Sequence, residues 1–375
     1  MVSAGLYLHI PYCKQACSYC DFYFSTRTHT QPAVVAAMCQ EIALRAHALP
    51  YTHLHSIYLG GGTPSMLTTS QLADLLAAVH AHFTLLPQSE VTLEANPDDI
   101  TPEALEAWKA LGINRLSVGV QTFQPHVLQT MRRAHTAAQA HAALGWVAEA
   151  FESWTADLIF AVPDRPLSML QADMTALLAY APPHLSVYGL TVEAGTLLHW
   201  QVQRGQVQVD DAQYAEEFLW LHDALTQAGY AHYEISNYAR SGYMARHNSS
   251  YWQGAPYVGI GPGAHGYHPP TRRYANLPDL HGYVAALEQH TLHQSEETLA
   301  PQQVLMEKVM LALRTANGLD VNVLYDSQGW TTTHRQALDA FIAQDYFVLQ
   351  PPQLLATPKG WLALDSLLLD ILPDA

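Results

Sequence analysis

The sequence predicts an α/β protein: an incomplete barrel of six βα units, followed by a small C-terminal helical, winged-helix-like part. Three observations predict it. Six short apolar runs, rich in β-branched and aromatic residues and closed by Gly, Pro or polar residues, read as buried parallel strands. Helix-like stretches separate them, which is the rhythm of a parallel sheet. The six units occupy about 190 residues, short of the eight repeats that close a full barrel. A doubly wound open sheet would show the same pattern and stays open as the alternative.

In order, the strands are GLYLHI from Gly5, SIYLGGG from Ser56, EVTLEANP from Glu90, RLSVGVQ from Arg115, TADLIFAV from Thr155 and HLSVYGLTV from His184. The helices between them include PAVVAAMCQEIALRAHAL, QLADLLAAVHAHF, TPEALEAWKALG and AAQAHAALGWVAEA. Thr101-Pro102-Glu103 shows how one begins: a capping hydroxyl, a proline already fixed near helical φ, then an acid in the first turn. Beyond about residue 205 the rhythm changes. A long helix, DDAQYAEEFLWLHDALTQAGY, leads through YEISNYA to a loop-rich aromatic stretch from Ser241 to His268. From about Pro301 come two helical patterns, a strand-like pair (YFVLQ and LLATPKGWLAL) and a last helix. Three parts are expected: 1–205, the barrel; 206–295, an extension that caps it; and 296–375, the C-terminal part.

The 375 residues are 49% apolar and only 13% charged, the balance of an ordered globular chain. A net charge of −16 argues against a nucleic-acid partner held by phosphate contacts, which would want a basic face. No apolar run reaches the roughly 18–20 residues of a membrane helix, and MVSAGLYLHIPYC lacks the basic start of a signal peptide. A cytoplasmic location is therefore expected, where clustered cysteines are metal ligands or redox groups more often than disulfides.

Such a cluster follows the first strand: Cys13, Cys17 and Cys20, spaced C-x3-C-x2-C. A structural zinc site uses four ligands, commonly as paired knuckles, and no second knuckle is present. The remaining cysteine, Cys39, lies on an Ala-rich helix and reads as a small buried residue. Three thiolates suit a [4Fe–4S] cluster with one iron open to another ligand. One βα unit later comes LGGGTPS (59–65), whose glycines would let the backbone approach a ligand closely.

Together HIPYCxxxCSYCDF, YLGGGTPS, LEANP, LSVGVQTF, MRRAH, DLIFAVP, HLSVYGLTVEAGT, YEISNYA and HNSSYW resemble the radical-SAM family of oxygen-independent coproporphyrinogen III oxidases and their relatives. The resemblance covers essentially the whole chain and is strongest to the haem-chaperone branch. It implies a partial radical-SAM barrel, with Cys13, Cys17 and Cys20 holding the cluster. It implies S-adenosylmethionine contacts at Tyr7, Tyr19, Gly61, Gly62, Thr63, Glu94, Gln121, Arg133 and Asp157. His247 of HNSSYW (247–252) would bind haem, with Tyr251 and Trp252 flanking the macrocycle. Implied partners are haem, haem-acceptor proteins and a reductant for the cluster; peripheral membrane contact and a homodimer are compatible with it.

Three features separate the chaperone branch from the oxidases. Asp21-Phe22 replaces an extra cysteine, the first strand starts near residue 5 without a long preceding segment, and HNSSYW fits the chaperone motif. Two departures from the family pattern are Ala16, where a basic residue is common, and DLIFAVP in place of DLIYGLP, which puts Ala161 and Val162 in the loop. His247 follows the cysteines by more than 200 residues, so its loss is expected to leave a cluster undisturbed.

Overall fold

The computed structural model describes residues 3–372. Six strands lie side by side in chain order, all parallel: β1 (Ser3–Ile10), β2 (His53–Gly61), β3 (Thr84–Ala95), β4 (Arg115–Gln121), β5 (Ser153–Phe160) and β6 (His184–Gly189). A doubly wound sheet reverses its strand order at a switch point. The order here runs 1-2-3-4-5-6 without reversal, so the barrel alternative holds. Leu6, Leu8, Ile57, Leu59, Leu93, Leu116, Val118 and Leu158 are buried along these strands. The helices cover the outside, among them Gln31–Ala48, Thr69–His82 and Ala137–Ala150. Thr68 and Thr136 each form a capping box with the glutamine three residues on, which fixes where the last two begin.

The sheet extends at both ends. A tight hairpin, β7 (Ala231–Glu234) and β8 (Asn237–Ala239), joins antiparallel to β6. At the other end β9 (Tyr257–Ile260) pairs parallel with β1, and β10 (His265–His268), β11 (Arg272–Asn276) and β12 (Gln294–Thr298) continue antiparallel. The result is one twelve-stranded sheet running through the expected boundary at residue 205.

One buried carboxylate gathers several of the bonds that tie that extension to the barrel. Glu41, on the helix Gln31–Ala48, accepts bonds from Arg45 Nε (3.1 Å) and Nη2 (2.9 Å), Asn276 Nδ2 (2.8 Å), the Gly261 N–H (2.8 Å) and Tyr283 Oη (2.6 Å). Arg45 also donates to Asn276 Oδ1 and stacks on Tyr274.

The C-terminal part is helical, with a three-stranded sheet of β13 (Leu319–Asp320), β14 (Phe347–Gln350) and β15 (Gln353–Ala356). Here one expectation fails. LLATPKGWLAL is not a long strand: β15 stops at Ala356, and a helix, Pro358–Ile371, begins after Thr357, whose hydroxyl accepts the Gly360 N–H. Thr-Pro is the same start signal seen at Thr101-Pro102. A second expectation also changes, because HNSSYW lies on a helix, Arg246–Trp252, and not in a loop. Glu90 on β3 receives the first N–H groups of that helix, those of Arg246 (2.9 Å) and His247 (3.0 Å).

Candidate functional site

The loops after β1 to β5 meet over the C-terminal ends of the parallel strands, where βα barrels place their sites. They enclose a cavity of about 670 Å³. The cysteine loop is tied down from several sides. Ser18 N–H donates to Met131 O (3.1 Å), Cys13 N–H to Ser25 O (3.1 Å) and Gln15 Nε2 to Arg132 O (2.7 Å). Lys14 pairs with Asp98 and Asp99, beyond β3.

Cys13, Cys17 and Cys20 all line the cavity as half-buried free thiols. Among the described residues no three His, Cys, Asp or Glu side chains are already gathered as metal ligands. The surroundings nevertheless suit thiolates. Arg133 Nη1 donates toward Cys17 Sγ (3.6 Å) and Thr63 Oγ1 toward Cys13 Sγ (3.6 Å). Burial pushes the Cys13 thiol up to about 11, against the pull of Thr63 and Arg133. A metal that binds sulfur only as thiolate would bring that value down. Arg133 itself is anchored by Asn96 Oδ1 (2.6 Å) and Gly119 O (2.9 Å), while its buried Nε has no partner. A buried cation with an unused donor, in a cavity lined by three thiols, fits an anionic cluster.

Tyr19, Gly61, Gly62, Thr63, Glu94, Gln121, Arg133 and Asp157 share this cavity with the cysteines. Their placement follows from local structure. At Gly61, φ is +107°, and a Cβ would stand 2.5 Å from His9 Nδ1; at Gly62 it would stand 2.7 Å from Tyr12 O. The protein's own packing thus requires both glycines before any ligand is considered. Glu94 accepts from Tyr58 Oη (2.8 Å) and the Gly61 N–H (3.1 Å). Burial, set against those two bonds and reinforced by Asp157, lifts its carboxyl to about 7. Gln121 has φ +67° and follows a β-bulge between β4 and β5, a device that re-aims a side chain at a sheet end. Asp157 accepts from Ser117 Oγ (2.8 Å), and burial raises its pKa. Tyr19 neighbours Arg133 and Cys17, and burial holds its phenol protonated.

Tyr7 is placed elsewhere. It lines a second, larger cavity of about 1370 Å³, with its hydroxyl 3.0 Å from His9 Nδ1. Tyr251 and Trp252 line that cavity too, and Asp21 and Phe22 border both cavities. His247 lines neither. It is 1% exposed, with Nδ1 2.8 Å from Ser56 Oγ and Nε2 2.7 Å from Tyr251 Oη. Burial pushes its pKa down to about 3, so the ring is neutral. Nor does separation in sequence mean separation in space: the His247 ring stacks on Tyr58 at 5.0 Å, and Tyr58 bonds Glu94 of the cysteine cavity.

Asn96 is a site residue the motifs did not single out. It bridges Arg133 and Thr63, donating to Thr63 Oγ1 at 3.2 Å. The signal was present, because Asn96 stands two residues after Glu94, on the same side of an extended chain.

Ala161, the departure in DLIFAVP, sits at φ +56°, and its N–H donates to Glu217 Oε2 (2.7 Å). An L-residue there carries about 1–2 kcal/mol of strain, partly offset by the smaller entropy of an unfolded alanine. Ala161→Gly should therefore raise stability by roughly 0.5–1 kcal/mol. A urea unfolding midpoint that does not rise would refute the strain.

The Radical SAM superfamily profile matches residues 7–177. The chain is 36% identical over 377 residues to the Heme chaperone HemW of Mycobacterium tuberculosis (strain ATCC 25618 / H37Rv), covering 98% of this chain and 94% of that one. It is 33% identical to the Heme chaperone HemW of Bacillus subtilis (strain 168), covering 84% of each. To the mouse mitochondrial Radical S-adenosyl methionine domain-containing protein 1 it is 34% identical, covering 99% and 88%. Among solved structures, the coproporphyrinogen III oxidase HemN of Escherichia coli matches with a TM-score of 0.84 at 21% identity, covering 99% of this chain and 90% of that one. That likeness shows a shared fold, and with the identities above it leads to one conclusion: the chain belongs to the HemW family of the radical SAM superfamily.

Proposed function

We propose that the protein is a haem chaperone of the cytoplasm that carries a [4Fe–4S] cluster on Cys13, Cys17 and Cys20, binds S-adenosylmethionine beside it and passes haem to acceptor proteins. The observation that carries the reading is the pair of adjoining cavities. One is lined by three thiols, Arg133 and the glycine loop; the other is twice as large and walled by aromatic side chains. The larger has the flat-ring lining that suits a macrocycle. When bound, a cluster with three thiolate ligands offers an open iron to a chelating amine and carboxylate. Gly61, Gly62, Thr63 and Glu94 would hold the amino end, and Arg133 would balance the negative charge. Among the described residues no helix is long and apolar enough to cross a membrane.

The rival reading is porphyrinogen oxidation, favoured by the fold shared with HemN. Against it, Phe22 stands where the oxidases carry an extra cysteine, and Phe22 is 60% exposed at the border of the two cavities. The reconstituted protein, incubated anaerobically with coproporphyrinogen III, reductant and S-adenosylmethionine, should form no protoporphyrinogen IX, while a parallel titration should show saturable haem binding. Turnover at an ordinary enzymatic rate would overturn the chaperone reading.

A further inference from the structure

We propose that His247 meets haem iron through Nε2, that the Ser56 hydroxyl holds the ring in the tautomer this requires, and that the Tyr251 hydroxyl caps that nitrogen until haem displaces it. This rests on the haem reading above and takes His247 as the ligand that the family resemblance implies. What it adds is how a buried ring becomes available to iron.

The ring has no free nitrogen in the haem-free chain. His247 and Tyr251 stand one turn apart on the helix Arg246–Trp252, so their side chains meet. Nε2 lies 2.7 Å from Tyr251 Oη, and Nδ1 lies 2.8 Å from Ser56 Oγ on β2. The ring also packs against Tyr58, at 5.0 Å and 25° between planes, and against Tyr7, at 6.5 Å and 30°. Turning it would break both hydrogen bonds and this packing.

The two nitrogens face different surroundings. Ser56 is fully buried within the sheet, whereas Tyr251 is half-buried and lines the larger cavity. Only Nε2 therefore has a partner that a ligand in that cavity can move. A neutral imidazole carries one N–H and one lone pair, and iron takes the lone pair. Ligation through Nε2 thus puts the proton on Nδ1, where Ser56 Oγ is the acceptor within reach. In that tautomer the Tyr251 O–H donates to Nε2. Burial keeps the ring neutral and the phenol protonated. The exchange then needs no base: the O–H···Nε2 bond breaks, the iron–Nε2 bond forms, and the phenol keeps its proton.

Tyr251 has room to leave. Its ring meets Tyr257 edge-on at 4.6 Å and borders a cavity of about 1370 Å³. The cap re-forms when haem departs, so it favours release at the cost of roughly two- to tenfold in affinity.

The test is rapid mixing and titration of the full chain with ferric haem, read at the Soret band. Tyr251→Phe should keep the band position and bind roughly two- to tenfold more tightly. In the wild type the rate of the ligation phase should level off with rising haem, limited by departure of the phenol; in Tyr251→Phe it should keep rising. Ser56→Ala should bind about tenfold more weakly with a shifted band, whereas a merely structural Ser56 would alter melting alone. Weaker or unchanged binding in Tyr251→Phe would overturn the cap, and unchanged affinity in Ser56→Ala the tautomer assignment. A wild-type band retained in His247→Ala would overturn the whole inference and leave haem binding standing. Wild-type protein without saturable binding would instead reject the haem reading itself, and this inference with it.

Discussion

Serine in place of Cys17 should leave the protein without an iron–sulfur cluster. Anaerobic reconstitution of the wild type should yield about four iron and four sulfide per chain, and Cys13→Ser and Cys20→Ser should fail as Cys17→Ser does. The three thiols stand in one loop after β1, beside the Arg133 guanidinium, which donates to Cys17 Sγ. Serine keeps the size of the side chain and removes the soft ligand, so the loop should fold while the metal is lost. Cys39 is the internal control. It sits on the helix Gln31–Ala48 with its thiol toward Asp74 O (3.7 Å), and burial raises its pKa, so Cys39→Ser should reconstitute normally. A full complement of iron in Cys17→Ser, or its loss in Cys39→Ser, would remove the ligand assignment.

The largest loss of stability should come from Glu41→Ala, about 3–5 kcal/mol. Its carboxylate is fully buried and takes five hydrogen bonds, from Arg45, Asn276, Gly261 and Tyr283. Removing it strands the Arg45 charge inside the protein and leaves a main-chain N–H and a phenol without an acceptor, each costing about 1–3 kcal/mol alone. Glu41→Gln keeps the volume but sets an amide against donors, so it should lie between alanine and wild type. Urea unfolding at neutral pH measures both. A loss under about 1 kcal/mol in Glu41→Ala would mean the network adds little beyond the packing around it.

How legible the molecule was depends on where each element draws its stability. The six parallel strands are buried on both faces, so they appear as apolar runs between Gly and Pro, and all six were readable. The helix Arg246–Trp252 has no such mark. Its residues are polar and aromatic, and its start depends on Glu90, distant in sequence. The pairing of β9 with β1 is equally invisible, since short strands carry no sign of their partner. At the site, the motif residues that the resemblance named beside the cysteines share one cavity, because they lie toward the C-terminal ends of neighbouring parallel strands or in the loops that follow. The histidines were the hard part. His247 stands in a distinctive motif, yet nothing in that motif shows that its ring is buried with its nitrogens bonded to Ser56 and Tyr251.

The pairing of β1 with β9 also bears on how the chain is made. Gly5 lies opposite Tyr257, so during synthesis β1 must wait for a partner 252 residues later. At ordinary elongation rates that is roughly 10–50 s. Throughout that interval β2 can cover only one side of β1, and the other side presents unpaired N–H and C=O groups, an open template for another strand. The contact between β1 and β9 thus forms long after β1 is made, and the larger cavity, which Tyr7 and Tyr257 line together, cannot exist before it.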